Sequence, residues 1–198
     1  MTAGTSRKLI LINGQPGAGK TTLKKRLAAD LGLPAIGKDD FKEFLFDTLG
    51  KPASREWSSA LGRAATVALN DTAAVFLGKG YDVIIESAFI YEFAYSDFQQ
   101  VLQQVDADVL EIYCTCDVAT RNARFNARKG TATRHIVHSD ALGEMSDEEI
   151  ARRYAPLEIG TIIRVDTTRF GNAEYKLLLR NIKAHLKEEK LHETLEAH

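Results

Sequence analysis

Apolar residues fall along this chain in two rhythms. Continuous runs without polar alternation, Leu9-Ile10-Leu11-Ile12, then YDVIIES, ADVLEIYCTC and GTIIRVDTT, read as strands buried on both faces. LGLPAIG adds a short second strand that ends at Gly37. Between the strands the spacing lengthens. Leu23, Leu27 and Leu31 recur every four residues in a helix that begins near Gly19, and KDDFKEFLFDTL sets Phe41, Phe44, Leu45 and Leu49 on one helical side. After KPAS, a long helical stretch runs from Ser54 to Leu77 and closes at Gly78-Lys-Gly80. Further helices are predicted over Ser96 to Val105 and Arg121 to Lys129, and from the capping box Ser146-Asp-Glu-Glu149 to Tyr154. A polar closing helix over Ala173 to Ala197 is expected to fray at its end.

Strands alternating with helices predict an α/β fold, with a parallel sheet covered on both faces. Right-handed crossovers then bring the loops after strands one to four together at the carboxyl ends of the strands, where a ligand binds. No internal repeat or low-complexity segment divides the 198 residues, so residues 1–198 are expected to form a single domain with a real core.

Composition narrows the function classes. Lys and Arg number 26 against 27 Asp and Glu, a net charge of −1, so no global basic field draws the chain to nucleic acid or anionic membrane. The longest apolar run is far short of a membrane span, and MTAGTSRK has no signal-peptide core, so a cytoplasmic protein is expected. Cys114 and Cys116, both expected on one side of the fourth strand, match neither a redox pair nor a zinc set. They read as buried thiols in a reducing compartment.

The sharpest signal lies between the first strand and first helix. Gly14-Gln15-Pro16-Gly17-Ala18-Gly19-Lys20-Thr21, followed by Thr22, is a full match to a phosphate-binding loop in its required strand-to-helix context. Its glycines let backbone N–H groups turn onto phosphate oxygens at angles that side chains forbid. The helix N-terminus adds partial positive charge. Lys20 can reach the β- and γ-phosphates, and the Thr21 hydroxyl can ligate Mg²⁺.

The other converging loops carry further candidates. Asp40, with Glu43 three residues on, reads as a helix cap, which leaves Asp39 to accept a proton from an acceptor hydroxyl held for in-line attack. The bland alternative makes both aspartates caps. Glu86, ending the third strand opposite the phosphate loop, fits a water-mediated Mg²⁺ contact, with Ser87 beside it toward the acceptor. From Val118 to Ser139 there is no acidic residue, yet Arg121, Arg124, Arg128, Lys129 and Arg134 fall there, with His135 and His138. Arg121, Arg124 and Arg128 project from one helical face, which suits guanidinium groups over a triphosphate, a solvated face being the alternative. The loop Gly130 to Thr133 has the make-up of a lid, expected over about residues 117–145. The histidines lack companion ligands and read as lid or surface residues. Trp57 fits either an acceptor-pocket wall or ordinary core.

Together GQPGAGKTT, KDDFKEFLFD, GYDVIIES, CDVATRNARFNARKG and VDTT resemble the small P-loop kinases of the AAA-domain group, which includes chloramphenicol phosphotransferase, zeta toxin and the polynucleotide kinase module. The resemblance spans roughly residues 8–168. It implies a three-layer P-loop fold with five parallel strands in the order 2-3-1-4-5, Mg·ATP as phosphoryl donor, and Asp39 as general base. It also implies that Arg124 lies near adenine, Arg128 contacts the phosphates, and Lys42 helps anchor the acceptor. Glu86 departs from the commoner Asp, and Arg128 and Lys129 stand where one key cation is expected.

The leading expectation is a kinase that moves the γ-phosphoryl of ATP to a hydroxyl of a small molecule, such as a metabolite, sugar or antibiotic. A 5′-hydroxyl kinase acting on nucleic acid is disfavoured by the neutral charge. A non-catalytic nucleotide switch of the GTPase type would need a late Asn-Lys-x-Asp motif, which is absent.

Overall fold

The computed structural model describes residues 6–50, 54–128, 135, 137 and 145–196, with side chains for all of these except 55, 128 and 188–196. Its strands are β1 (Arg7–Gly14), β2 (Ala35–Gly37), β3 (Val83–Glu86), β4 (Ala107–Thr115) and β5 (Thr161–Asp166). The helices are α1 (Lys20–Leu31), α2 (Lys38–Leu49), α3 (Arg55–Gly78), α4 (Tyr91–Gln104), α5 (Val118–Arg128), α6 (Asp147–Arg153) and α7 (Asn172–Glu196). All paired strands run parallel, in the order β2-β3-β1-β4-β5, as the resemblance implies.

β1 occupies the middle because its side chains have nowhere polar to face. Burying a Leu or Ile side chain is worth about 1.5–3 kcal/mol, so an unbroken apolar run is most stable between two helical layers. Leu9 and Leu11 pack against Leu69, Ala73 and Leu77 of α3 and Phe98 of α4. Ile10 and Ile12 point the other way, to Leu23 and Leu27 of α1 and Leu178 and Ile182 of α7.

Several boundaries and faces differ from the pattern-based expectation. α4 begins at Tyr91, five residues before Ser96, because Ala94 joins Phe98 and Val101 in its buried stripe. α5 opens at Val118 instead of Arg121, since Asp117 accepts from the Thr120 N–H and starts the turn. On α2, Phe44 and Leu49 are exposed while Phe46 is buried against Leu61 of α3 and Val137, so the core stripe is displaced from the predicted side. β5 is an edge strand with exposed positions; it pairs only with β4 and is not buried on both faces. Trp57, in the first turn of α3, is 37% exposed and is not core.

One polar residue interrupts the apolar centre. Asn13 is fully buried at the end of β1 and donates from Nδ2 to Glu111 Oε1 (2.9 Å) and the Ala155 carbonyl (3.3 Å). Its Oδ1 accepts from the Gly14 N–H (2.7 Å) and the Phe89 N–H (3.3 Å). Glu111, also fully buried, takes the backbone N–H groups of Leu157 (2.9 Å) and Glu158 (2.8 Å). The pair thereby fastens the segment after α6 and the segment after β3 to the carboxyl end of β1. Replacing Asn13 with Leu strands these partners away from water, at roughly 1–3 kcal/mol for each unsatisfied group. Asn13→Leu is therefore expected to lose about 3 kcal/mol or more in urea unfolding. A wild-type midpoint would show that the network carries no stability.

Candidate functional site

The phosphate loop follows from how closely β4 passes the end of β1. Gly14 has φ +134°, and a Cβ there would lie 2.0 Å from the Cys114 carbonyl oxygen, so no other residue fits. The loop tightens through the Ala18 N–H to the Gln15 carbonyl (3.1 Å) and enters α1 at Gly19. Ala18 is buried, Gln15, Pro16, Gly17 and Gly19 are half-buried, and Thr21 and Thr22 are exposed on the first turn of α1. Lys20 is buried, and its Nζ donates to the carbonyls of Gly14 (2.8 Å) and Gln15 (2.9 Å), so its ammonium is drawn across the loop.

Glu86 ends β3 on the α1 side of the sheet and accepts from the Thr21 hydroxyl at 3.3 Å. Burial raises the Glu86 carboxyl above its ordinary range, opposed by the positive charges of Lys20 and Lys24. Thr21 and Glu86 thus bring two hard oxygen donors together at the loop. This suits Mg²⁺, which commonly takes one or two protein oxygens and completes its shell with water and substrate phosphate. The Glu in place of Asp reaches the loop without distortion of β3, whose register on β1 runs through Ile12 opposite Glu86.

Lys24, which no motif in the sequence marks, joins these parts. It lies one turn beyond Lys20 on α1 and is buried, with Nζ 2.8 Å from Asp40 Oδ2 and 3.9 Å from Glu86 Oε2. A Cβ at residue 37 would sit 2.6 Å from that Nζ, so Gly37 makes room for it. Asp40 also accepts from the Gly37 N–H at 2.7 Å. This corrects the expected cap: Gly37 is the N-cap, Asp40 reaches back from the third helical position, and Glu43 is not its reciprocal partner. Asp39 is then the second helical residue, exposed, at the carboxyl end of β2. Lys42 is half-buried one turn after Lys38, and Ser87 is buried with its N–H on the Ile12 carbonyl (3.2 Å).

The arginines divide by environment. Arg121 is buried, ion-paired with Asp147 of α6 and 3.4 Å from Gln15 Oε1, so it braces the loop instead of presenting a free charge. Arg124 donates to Thr167 Oγ1 (3.0 Å), the Thr167 carbonyl (2.6 Å) and the Gly17 carbonyl (3.5 Å). Thr167 Oγ1 in turn lies 3.1 Å from the Ala18 carbonyl and 3.0 Å from that of Thr115. Thr167 is signalled in the sequence only by the VDTT that ends the last strand. The side chain of Arg128, and Lys129, Arg134 and His138 entirely, lie outside the described residues, as do residues 129–134, 136 and 138–144 of the lid expected over 117–145. His135 is half-buried, edge-on to Phe46 and 3.1 Å from Asp47. Burial pushes the Cys114 thiol up to about 12 and also raises Cys116, so neither is a nucleophile at neutral pH.

A family model described as an AAA domain matches residues 9–153. Among solved structures, a candidate kinase from Chloroflexus aurantiacus J-10-fl shares 31% identity over 91% of this chain and 99% of its own, with TM-score 0.81. A sugar kinase from Janibacter sp. HTCC2649 shares 18% over 92% and 95%, with TM-score 0.58. The APS kinase of Mycobacterium tuberculosis in complex with AMPPNP and APS shares 15% over 90% and 98%, with TM-score 0.59. No curated protein gives a significant match. No described helix is long and apolar enough to cross a membrane.

Lys24→Met tests the bridge. Burial pushes the Asp40 carboxyl up, but the hydrogen bonds from Lys24 and Gly37 outweigh it and leave the carboxyl below its ordinary 3.8. That stabilisation is present above the unfolded value and is lost as pH falls through the depressed folded one. The variant is expected to melt below wild type at pH 7, with the gap shrinking as the pH falls below the ordinary 3.8 of the carboxyl. A gap that is constant with pH would mean Lys24 acts only by packing.

Proposed function

The chain belongs to this AAA domain family, as a small P-loop kinase, and on that premise we propose that it moves the γ-phosphoryl of ATP to a hydroxyl of a small molecule, with Mg²⁺ as cofactor, within a single domain. The observation that carries this reading is the Lys20–Thr21–Glu86 grouping beside Asp39, at the carboxyl ends of β1, β2 and β3. Backbone N–H groups from Gly14 to Thr22 would cradle the phosphates, and Lys20 would leave the loop carbonyls for the β- and γ-phosphates. Thr21, and Glu86 through water, would hold the magnesium ion, which neutralises phosphate charge. As the acceptor oxygen bonds to the γ-phosphorus, its proton passes to Asp39, the bond to the bridging oxygen breaks, and ADP leaves. Arg124, anchored on Thr167 beside the loop, would bound the nucleotide on the β4–β5 side, and Arg128 would supply lid charge to the transition state. Lys42 and Ser87 face the acceptor in this scheme.

The direct test is incubation with Mg·ATP and pooled metabolites, sugars and antibiotics, followed by mass spectrometry for any species that gains a phosphoryl group. No phosphorylated product, with ATP bound, would reject the kinase reading in favour of a nucleotide-dependent switch.

Three substitutions separate the roles. Lys20→Ala is expected to abolish turnover and weaken ATP binding in calorimetry while the fold persists. Asp39→Asn is expected to lower kcat by about 10² to 10⁴ with ATP affinity nearly unchanged, because the amide cannot take the proton. Arg124→Ala is expected chiefly to raise the KM for ATP. Full activity in Asp39→Asn would remove Asp39 as the base, and an unchanged KM in Arg124→Ala would confine that arginine to bracing Thr167.

A further inference from the structure

We infer, on the proposed kinase reading, that the acceptor carries an anionic group, a carboxylate, phosphate or sulfate, and that Lys38, Lys42 and Arg153 bind it beside Asp39. Two of these cations come from α2 and one from α6, and the backbone brings them to the same end of the sheet. Lys38 is the first residue of α2, directly after Gly37, which pairs with Glu86 in the sheet. Lys42 follows at four residues, on the same helical face. Arg153 ends α6, and the two residues after it are tied down. The Tyr154 carbonyl accepts from the Tyr113 hydroxyl (3.1 Å), and the Ala155 carbonyl accepts from Asn13 Nδ2 (3.3 Å). Asn13 also holds the Phe89 N–H, so the end of α6 is fixed over the ends of β1 and β4 and next to the segment that follows Ser87.

Among the described residues, the charges of this group are not spent on carboxylate partners. Lys24 and Arg121 have carboxylate partners, and Lys20 and Arg124 are held by carbonyls and hydroxyls. Among the described residues, the side chains of Lys38, Lys42 and Arg153 form no ion pair or hydrogen bond; Arg153 has only the Tyr154 ring, with its guanidinium 6.0 Å from the centroid. Lys42 and Arg153 are nevertheless both near enough to act on Lys38. Lys38 is mostly buried, and that burial lowers its pKa; Asp39 opposes the shift while Lys42 and Arg153 add to it. Lys42 and Arg153 thus crowd positive charge on Lys38, which is itself partly removed from water, with Asp39 as the opposing carboxylate. A neutral acceptor would leave that repulsion in place. An anion would relieve it through charge-assisted hydrogen bonds, and it would set the acceptor hydroxyl at a fixed distance from Asp39. The chain's net charge of −1 makes a long polyanion a poor fit, so the anion belongs to a small molecule.

The probe is inorganic sulfate, titrated by calorimetry into the protein already saturated with Mg·AMPPNP, so that the phosphate loop is filled. Saturable sulfate binding is expected, weakened about tenfold or more in Lys38→Met and in Arg153→Gln and largely retained in Lys38→Arg. Equal sulfate binding by wild type and both charge-removing variants, or none by wild type, overturns the inference. Thermal melts of each variant identify a folding defect, and Lys42→Gln then carries the comparison. Failure of AMPPNP itself to bind counts against the nucleotide reading and is seen before sulfate is added; the wild-type and Lys38→Met comparison still decides the anion site. Tight, salt-dependent binding of a 5′-hydroxyl oligonucleotide that is lost in the same variants would also overturn the assignment, by making the acceptor a nucleic acid.

Discussion

Asn13 uses its hydrogen-bonding capacity where water cannot reach, and the arrangement of the site depends on that. Its amide donates to Glu111 and to Ala155, and its carbonyl oxygen accepts from Gly14 and Phe89. A buried amide with an unpaired group would cost more than the net gain of one bond, so the four partners hold one another in a single geometry. Gly14 is where the phosphate loop departs, Phe89 lies just past Ser87, and Ala155 follows the arginine that ends α6. One side chain therefore sets the relative positions of the nucleotide side and the acceptor side.

The sheet then separates the two sides by strand parity. Glu86 points to the α1 face, toward Thr21 and Lys24, while Asn13 and Glu111 point to the face covered by α3 and α4 and by Leu157. The phosphate-side groups are thus packed on α1, and the cations at the start of α2 and the end of α6 gather on the other side. Lys24 crosses between them. It binds Asp40 at the start of α2 and approaches Glu86, so the turn that presents Asp39 is coupled to the carboxylate proposed for the metal.

Two kinds of misreading have distinct causes. On α2, Phe44 and Leu49 lie toward solvent while Phe46 packs on Leu61 and Val137. Five apolar residues in twelve fit more than one stripe, and only the neighbouring helix selects which stripe is covered. For Arg121, clustering with like charges suggested a guanidinium held over a triphosphate, but its partner Asp147 is 26 residues away and belongs to another helix. An ion pair that distant leaves no local pattern.

The chain by itself determined the elements, their parallel pairing and the phosphate loop, because those depend on local spacing. Apolar runs must be buried, a strand followed by a helix requires a crossover, and a phosphate loop needs glycines at angles that side chains forbid. Candidates at strand ends, Asp39, Glu86 and Ser87, were legible for the same reason. Tertiary structure alone decided which polar residues join the site from inside helices and strands. Lys24 and Glu111 carry no local pattern that marks them, and Thr167 is signalled only by the VDTT strand end; their buried contacts form only in the folded chain. Their roles come from partners far along the chain, and the energetics of burying a polar group is settled only when those partners are brought to within hydrogen-bond distance.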